Sequence, residues 1–166
     1  TSMLETFLAA ETWSEFREAH ELYLETPFSF CPPGVGQPDQ TFVVEGTVDA
    51  LLVDSEGRAK LVDFKTGQAR SEPYTFQLGI YSLGIRAWKG ALPESVWLYF
   101  MESGRNVELP VKQLASECES RLSEVIEGII RSEFDRSPDA NCGSCGVYWN
   151  CTQRNERAVN SLTLQF

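Results

Sequence analysis

The stretch EGTVDALLVDSEGRAKLVDFKTG, residues 45–67, is two apolar runs joined by Ser55-Glu56-Gly57. A strand points successive side chains to opposite faces, so Asp63 and Lys65 share one side of the second run while Val62 and Phe64 share the other. The apolar side can serve a core, and the charged side must serve something else. A three-residue hairpin loop with Gly57 in the left-handed position sets Asp54 opposite Arg58. Counting back, Leu51 faces Leu61, Asp49 faces Asp63, and Thr47 faces Lys65. A loop one residue longer or shorter would move Asp63 to the face away from Asp49.

Two carboxylates opposed across a ladder stand roughly 5 Å apart at their Cβ atoms and repel one another. Water, a shared proton or a cation between them makes the pair tolerable. A hard divalent ion such as Mg²⁺ takes oxygen ligands, often one or two carboxylates completed by water and substrate phosphate. A lysine beside them adds a point charge for a phosphate or a water nucleophile. Together these groups suit phosphodiester hydrolysis. The plainer alternative is a solvent-facing hairpin whose charges keep it soluble, because Asp-x-Lys alone is a common pattern.

Outward from the hairpin, residues 3–24 carry apolar side chains at near-helical spacing, including Leu4, Phe7, Leu8, Trp13, Phe16 and Tyr23. ETPFSF (25–30) reads as extended, and CPPGVGQPDQ (31–40) as a loop set by proline and glycine. TFVVEGTVDALLVD (41–54) is a long strand and RAKLVDFKT (58–66) its return. Residues 73–88 predict a helix with Pro73 in its first turn. Residues 94–103 and 105–111 form a second strand pair around Ser103-Gly104. Residues 112–134 predict an amphipathic helix with a stripe of Leu114, Cys118, Leu122, Val125, Ile126 and Ile129. The chain is thus expected to be one α/β domain spanning 1–166.

The 166 residues can bury a real core. No apolar run approaches a membrane span and residues 1–10 lack a signal-peptide pattern, so a soluble intracellular domain with no membrane partner is expected. Thr1-Ser2-Met3 reads as a cloning remnant, and the segment is expected to be cut from a longer chain. Fourteen basic against 24 acidic residues give a net charge of −10, which argues against a free-standing nucleic-acid binder. Arg58, Lys60, Lys65 and Arg70 nevertheless gather around the hairpin. Three of the five cysteines fall within ten residues near the C-terminus, a pattern that suits a metal site in a reducing compartment better than a disulfide framework.

Gly46 with Asp49, then Asp63 with Lys65, then Gln77 with Tyr81 resembles the G-x-x-D, D-x-K and Q-x-x-x-Y signature of the PD-(D/E)xK nuclease superfamily, RecB-like branch. The resemblance is strongest over the middle third of the chain. It implies a restriction-endonuclease-like fold, a mixed β-sheet flanked by helices. It also implies Asp49, Asp63 and the Phe64 carbonyl as ligands of Mg²⁺ or Mn²⁺, and Lys65 as catalytic beside them. Gln77 and Tyr81 share a helix face and would engage DNA. The family's metal-site histidine falls on His20, the chain's single histidine, closer to Asp49 than the pattern expects. Alternatively His20 is a plain helix residue and the histidine lies outside this chain. Glu25, in a Glu-x-Pro-Phe strand of family type, is a weaker alternative acid.

Cys142-x2-Cys145-x5-Cys151 resembles the segment, here 141–151, that closes AddB-type and CRISPR-adaptation nucleases, where a distant fourth cysteine completes a [4Fe–4S] cluster. Cys31 is the candidate for that fourth ligand, Cys118 reading as a buried small hydrophobe. Zinc is the alternative metal. The resemblance implies an exonuclease of DNA repair or recombination, associated with a helicase and working in the cytoplasm or nucleoid (nuclear or organellar in a eukaryote). A catalytically silent DNA-binding or scaffold module and a zinc-binding interaction domain remain as alternatives.

Overall fold

The computed structural model describes residues 2–32, 41–66, 74–133, 142, 145 and 146. The chain divides into two units, 1–127 and 128–166. Within the first, Met3–Leu8 (α1) and Glu11–Glu18 (α2) precede a five-stranded sheet of order β1-β2-β3-β4-β5. The strands are Glu21–Phe30 (β1), Val44–Val53 (β2), Ala59–Lys65 (β3), Ser95–Phe100 (β4) and Arg105–Leu109 (β5). Thr75–Lys89 (α3) links β3 to β4, the one parallel pair, and Val111–Ile130 (α4) follows β5. This mixed sheet flanked by helices is the restriction-endonuclease-like α/β fold expected.

From its loop back to Ala50 and Val62 the hairpin stands in the expected register, but the expected Asp49–Asp63 and Thr47–Lys65 pairs are not part of the ladder. Gly57 adopts φ +80°, Asp54 and Arg58 pair through their backbones at 3.1 Å, and Leu51 opposes Leu61. Asp54 also accepts from the Glu56 and Arg58 amides at 2.9 Å each, fastening the loop from within. The sheet is buried on both faces, which explains why Ala50–Val53 runs apolar without alternation. On one face Leu51, Leu61, Leu98 and Phe100 pack with Leu78 and Ile85 of α3 and Leu114 of α4. On the other, Ala50, Leu52, Val62 and Tyr99 pack with Phe16 of α2, and Phe7 of α1 closes over them.

The single N-terminal helix expected over 3–24 is two short helices broken at Ala9-Ala10, and residues 21–24 already belong to β1. Ser2 caps α1 through a reciprocal pair with Glu5, whereas α2 begins without a side-chain cap. On α4 the stripe holds at Leu114, Cys118, Leu122 and Ile126, but Val125 and Ile129 are exposed. In the second unit the helix ends at Ile130 rather than near 134. Ser132 at φ +57° lets its amide reach Ile129 and the Glu133 amide reach Gly128, closing the last carbonyls.

One irregularity was not expected. In the β1–β2 ladder Leu24 pairs with Ala50 and Thr26 with Val48, but the Glu25–Asp49 position is skipped. Glu25 takes φ +45°, a left-handed conformation costing a non-glycine residue roughly 1–2 kcal/mol. Both strands change face there. Tyr23 packs on the α3 side before the break and Phe28 after it, while Leu51 and Val48 do the same on β2.

Candidate active site

The β2–β3 ladder stops at Ala50 and Val62, one step before the two acids would pair. There the Asp49 carboxylate replaces a backbone carbonyl, accepting from the Phe64 amide at 2.8 Å. Asp63 lies on the same face as Ala59 and Leu61 and is fully buried. Through the Phe64 amide the Asp49 carboxylate sits beside the peptide that follows Asp63, near enough for its charge to act on the Asp63 carboxyl. The structure thus brings Asp49, Asp63 and Lys65 together at the carboxyl end of β3.

Lys65 Nζ is 2.7 Å from Asp63 Oδ2 and donates to Gln77 Oε1 at 3.1 Å. The Asp63 contact is a close, largely buried ion pair, and among the described residues the Asp63 carboxylate has no hydrogen-bond partner beyond it. Burial pushes the Asp63 carboxyl above the usual aspartate range; the Lys65 contact opposes this, and the Asp49 charge adds to it. A buried carboxylate held only by a lysine, with a second carboxylate on the adjoining amide, is a donor set that fits a hard divalent cation. Among the described residues no third His, Cys, Asp or Glu joins the pair.

Gln77, in the first turns of α3, also donates from Nε2 to the Tyr81 hydroxyl at 2.7 Å. Burial first, and the charges of Asp63 and Asp49 after it, raise the Tyr81 pKa, so its hydroxyl stays protonated. Phe28 fixes this part of α3: its ring stands 5.8 Å from that of Tyr81, edge to face. It does so by entering space that any side chain at Gly46 or Gly84 would fill, since a Cβ at Gly46 would meet the ring at 2.6 Å. The Gly46 of the sequence pattern therefore accommodates Phe28.

His20 is not brought to the carboxylates. It is exposed, its amide donates to Val53, and Val53 is four strand residues from Asp49, about 13 Å at a strand's rise. Glu25 is exposed at the break in β1. Cys118 is buried as expected, with burial pushing its thiol up to about 11, and Cys31 is exposed. In the second unit the Cys145 amide lies 3.4 Å from the Cys142 carbonyl; Cys151 and Arg70 fall outside the described residues.

Sequence reasoning missed Tyr74, whose ring centroid lies 4.6 Å from Lys65 Nζ. Its signal was there: Tyr74, Gln77 and Tyr81 are spaced i, i+3, i+7 along one helix face. A separate cavity of about 310 Å³ opens at the hairpin end between α2 and the sheet, where its cations are already paired, Lys60 with Glu15 and Arg58 with Asp54.

The family model described as PD-(D/E)XK nuclease superfamily matches residues 1–152. No curated protein matches the chain. A solved structure titled "Crystal structure of SSO0001" is similar in fold, with a TM-score of 0.55 at 16% identity over 92% of this chain. The match spans 66% of that chain's length. No described helix is long and apolar enough to cross a membrane. The chain belongs to the PD-(D/E)XK nuclease superfamily.

Proposed function

We propose that this domain hydrolyses DNA phosphodiester bonds with Mg²⁺ or Mn²⁺ held by Asp49, Asp63 and the Phe64 carbonyl. The observation that carries the reading is Asp63, a fully buried carboxylate whose one close polar partner among the described residues is Lys65 at 2.7 Å, with the Asp49 carboxylate held on the adjoining Phe64 amide. The bound cation would supply a lowered water pKa and neutralisation of phosphate charge. Asp49 is pinned by the Phe64 amide, so its orientation is set before any ligand arrives. Lys65 offers an ammonium to a phosphate oxygen or the attacking water. Tyr81 accepts from Gln77, which leaves its own O–H to donate to the DNA backbone.

Digestion of end-labelled DNA by the purified chain with Mg²⁺, Mn²⁺ or EDTA tests this. Cleavage that needs the metal and vanishes in Asp63→Ala supports it; cleavage unchanged in that variant overturns it. The exonucleolytic mode, a role in repair or recombination and association with a helicase are part of the same proposal. A helicase would supply the DNA grip that a charge of −10 does not. So is a [4Fe–4S] staple held by Cys142, Cys145, Cys151 and Cys31. Brown protein after anaerobic purification, with Cys145→Ser destabilised, supports the staple, and colourless protein holding zinc argues against it. The place of His20, away from the acids, favours one other reading: a catalytically silent DNA-binding or scaffold module. Metal-independent DNA binding without cleavage would support it.

A further inference from the structure

Lys65 is walled on three sides. Asp63 Oδ2 stands at 2.7 Å, Gln77 Oε1 at 3.1 Å and the Tyr74 ring centroid at 4.6 Å from the ammonium nitrogen. An ammonium carries three N–H donors and no acceptor, so three walls can hold it in one place. The Gln77 wall is itself oriented, because its oxygen must face the ammonium while its NH₂ donates to Tyr81. Tyr74, at the N-terminal boundary of α3, is half-buried and packs against the large core cluster, which anchors its ring.

These contacts act differently. Asp63 draws the ammonium toward the carboxylates, where it would neutralise the charge a cation needs. The electron-rich face of Tyr74, its centroid 4.6 Å away, attracts the same ammonium. On its flexible four-carbon stem, Lys65 needs such a counterweight to stay in one position.

We propose that Tyr74 is a positioning residue for Lys65. Its ring face and the Gln77 amide oxygen hold the ammonium beside the carboxylate pair, poised for a substrate phosphate. This rests on the reading of Lys65 as catalytic, and the test keeps the two apart.

In the full chain without metal, the ring should shift the Lys65 ε-methylene protons upfield in the NMR spectrum. The shift should persist in Tyr74→Phe and disappear in Tyr74→Leu. Phenylalanine carrying none, one, two or three ring fluorines at position 74 keeps the shape while draining the ring's negative face. Across that series kcat for DNA cleavage should fall stepwise, by about three- to tenfold in all, with KM unchanged. The unfluorinated phenylalanine should match wild type. An unshifted Lys65 in the wild-type spectrum, or a flat kcat across the series, overturns the proposal. A wild-type chain that cuts no DNA defeats the nuclease reading instead, and the proton shifts then decide the Tyr74 contact by themselves.

Discussion

The Phe64 amide donates to the Asp49 carboxylate at 2.8 Å just where the ladder between their strands has ended. A side chain thus stands in for a main-chain carbonyl. The strands part around it, and Asp49 both seals the opening and faces into it.

That double role separates two substitutions. Asp49→Ala leaves the Phe64 amide without its acceptor and should cost about 1–3 kcal/mol of stability. Asp49→Asn keeps a carbonyl oxygen at the same place and should recover most of that loss. Both should lose cleavage and Mn²⁺ affinity. Thermal melts and calorimetric titration distinguish the outcomes, and an Asn variant as unstable as Ala contradicts the sealing role.

Asp63→Asn should abolish cleavage yet stabilise the metal-free protein at neutral pH by about 0.5–2 kcal/mol. Burial raises the Asp63 carboxyl, so the folded chain keeps this proton to higher pH than the unfolded chain. The associated stability is present below the unfolded pKa and is lost as pH rises through the folded one. The gap in favour of Asn should therefore open as pH climbs from about 4 toward neutrality. Added Mg²⁺ should stabilise wild type by about 2.7 kcal/mol at a hundred times its dissociation constant, and leave the variant unmoved.

Lys65→Ala should destabilise the fold as well as end cleavage, because Lys65 is the cation 2.7 Å from a buried carboxylate. Its removal should cost about 1–3 kcal/mol at neutral pH. In an Asp63→Asn background the same substitution should cost far less, and a double-mutant cycle measures the difference. Additive effects would show that the pair is uncoupled.

Gly84→Ala should destabilise the domain by about 1–3 kcal/mol, since the new methyl drives into the Phe28 ring. The displaced ring abuts Tyr81, so cleavage should slow at temperatures where the variant is fully folded. Normal stability of this variant would contradict the close packing of α3 on Phe28.

The hairpin was legible because Gly57 fits only one loop length there, and loop length sets the register as far as Ala50 and Val62, where the ladder ends. The helices α3 and α4 were legible from apolar spacing. The break at Glu25 was not, because nothing in a glutamate announces φ +45° and the strand pairing imposes it from outside. Nor was the split between α1 and α2: the apolar spacing runs past Ala9-Ala10, and both alanines favour helix. His20 looked like a helix residue for the same reason. Its place at the start of β1 follows from long-range pairing with Val53, which local spacing does not report.

Phe64 has two jobs on opposite sides of one peptide. Its backbone belongs to the acid cluster, while its ring lies 5.5 Å from Phe7, 5.9 Å from Phe16 and 6.0 Å from Tyr99. The aromatic nest beneath the sheet therefore serves as a foundation for the acids on top of it. Shortening the protein to begin at residue 11 would pull out the Phe7 keystone, and the seat of Asp49 on the Phe64 amide would sag although neither group had been touched.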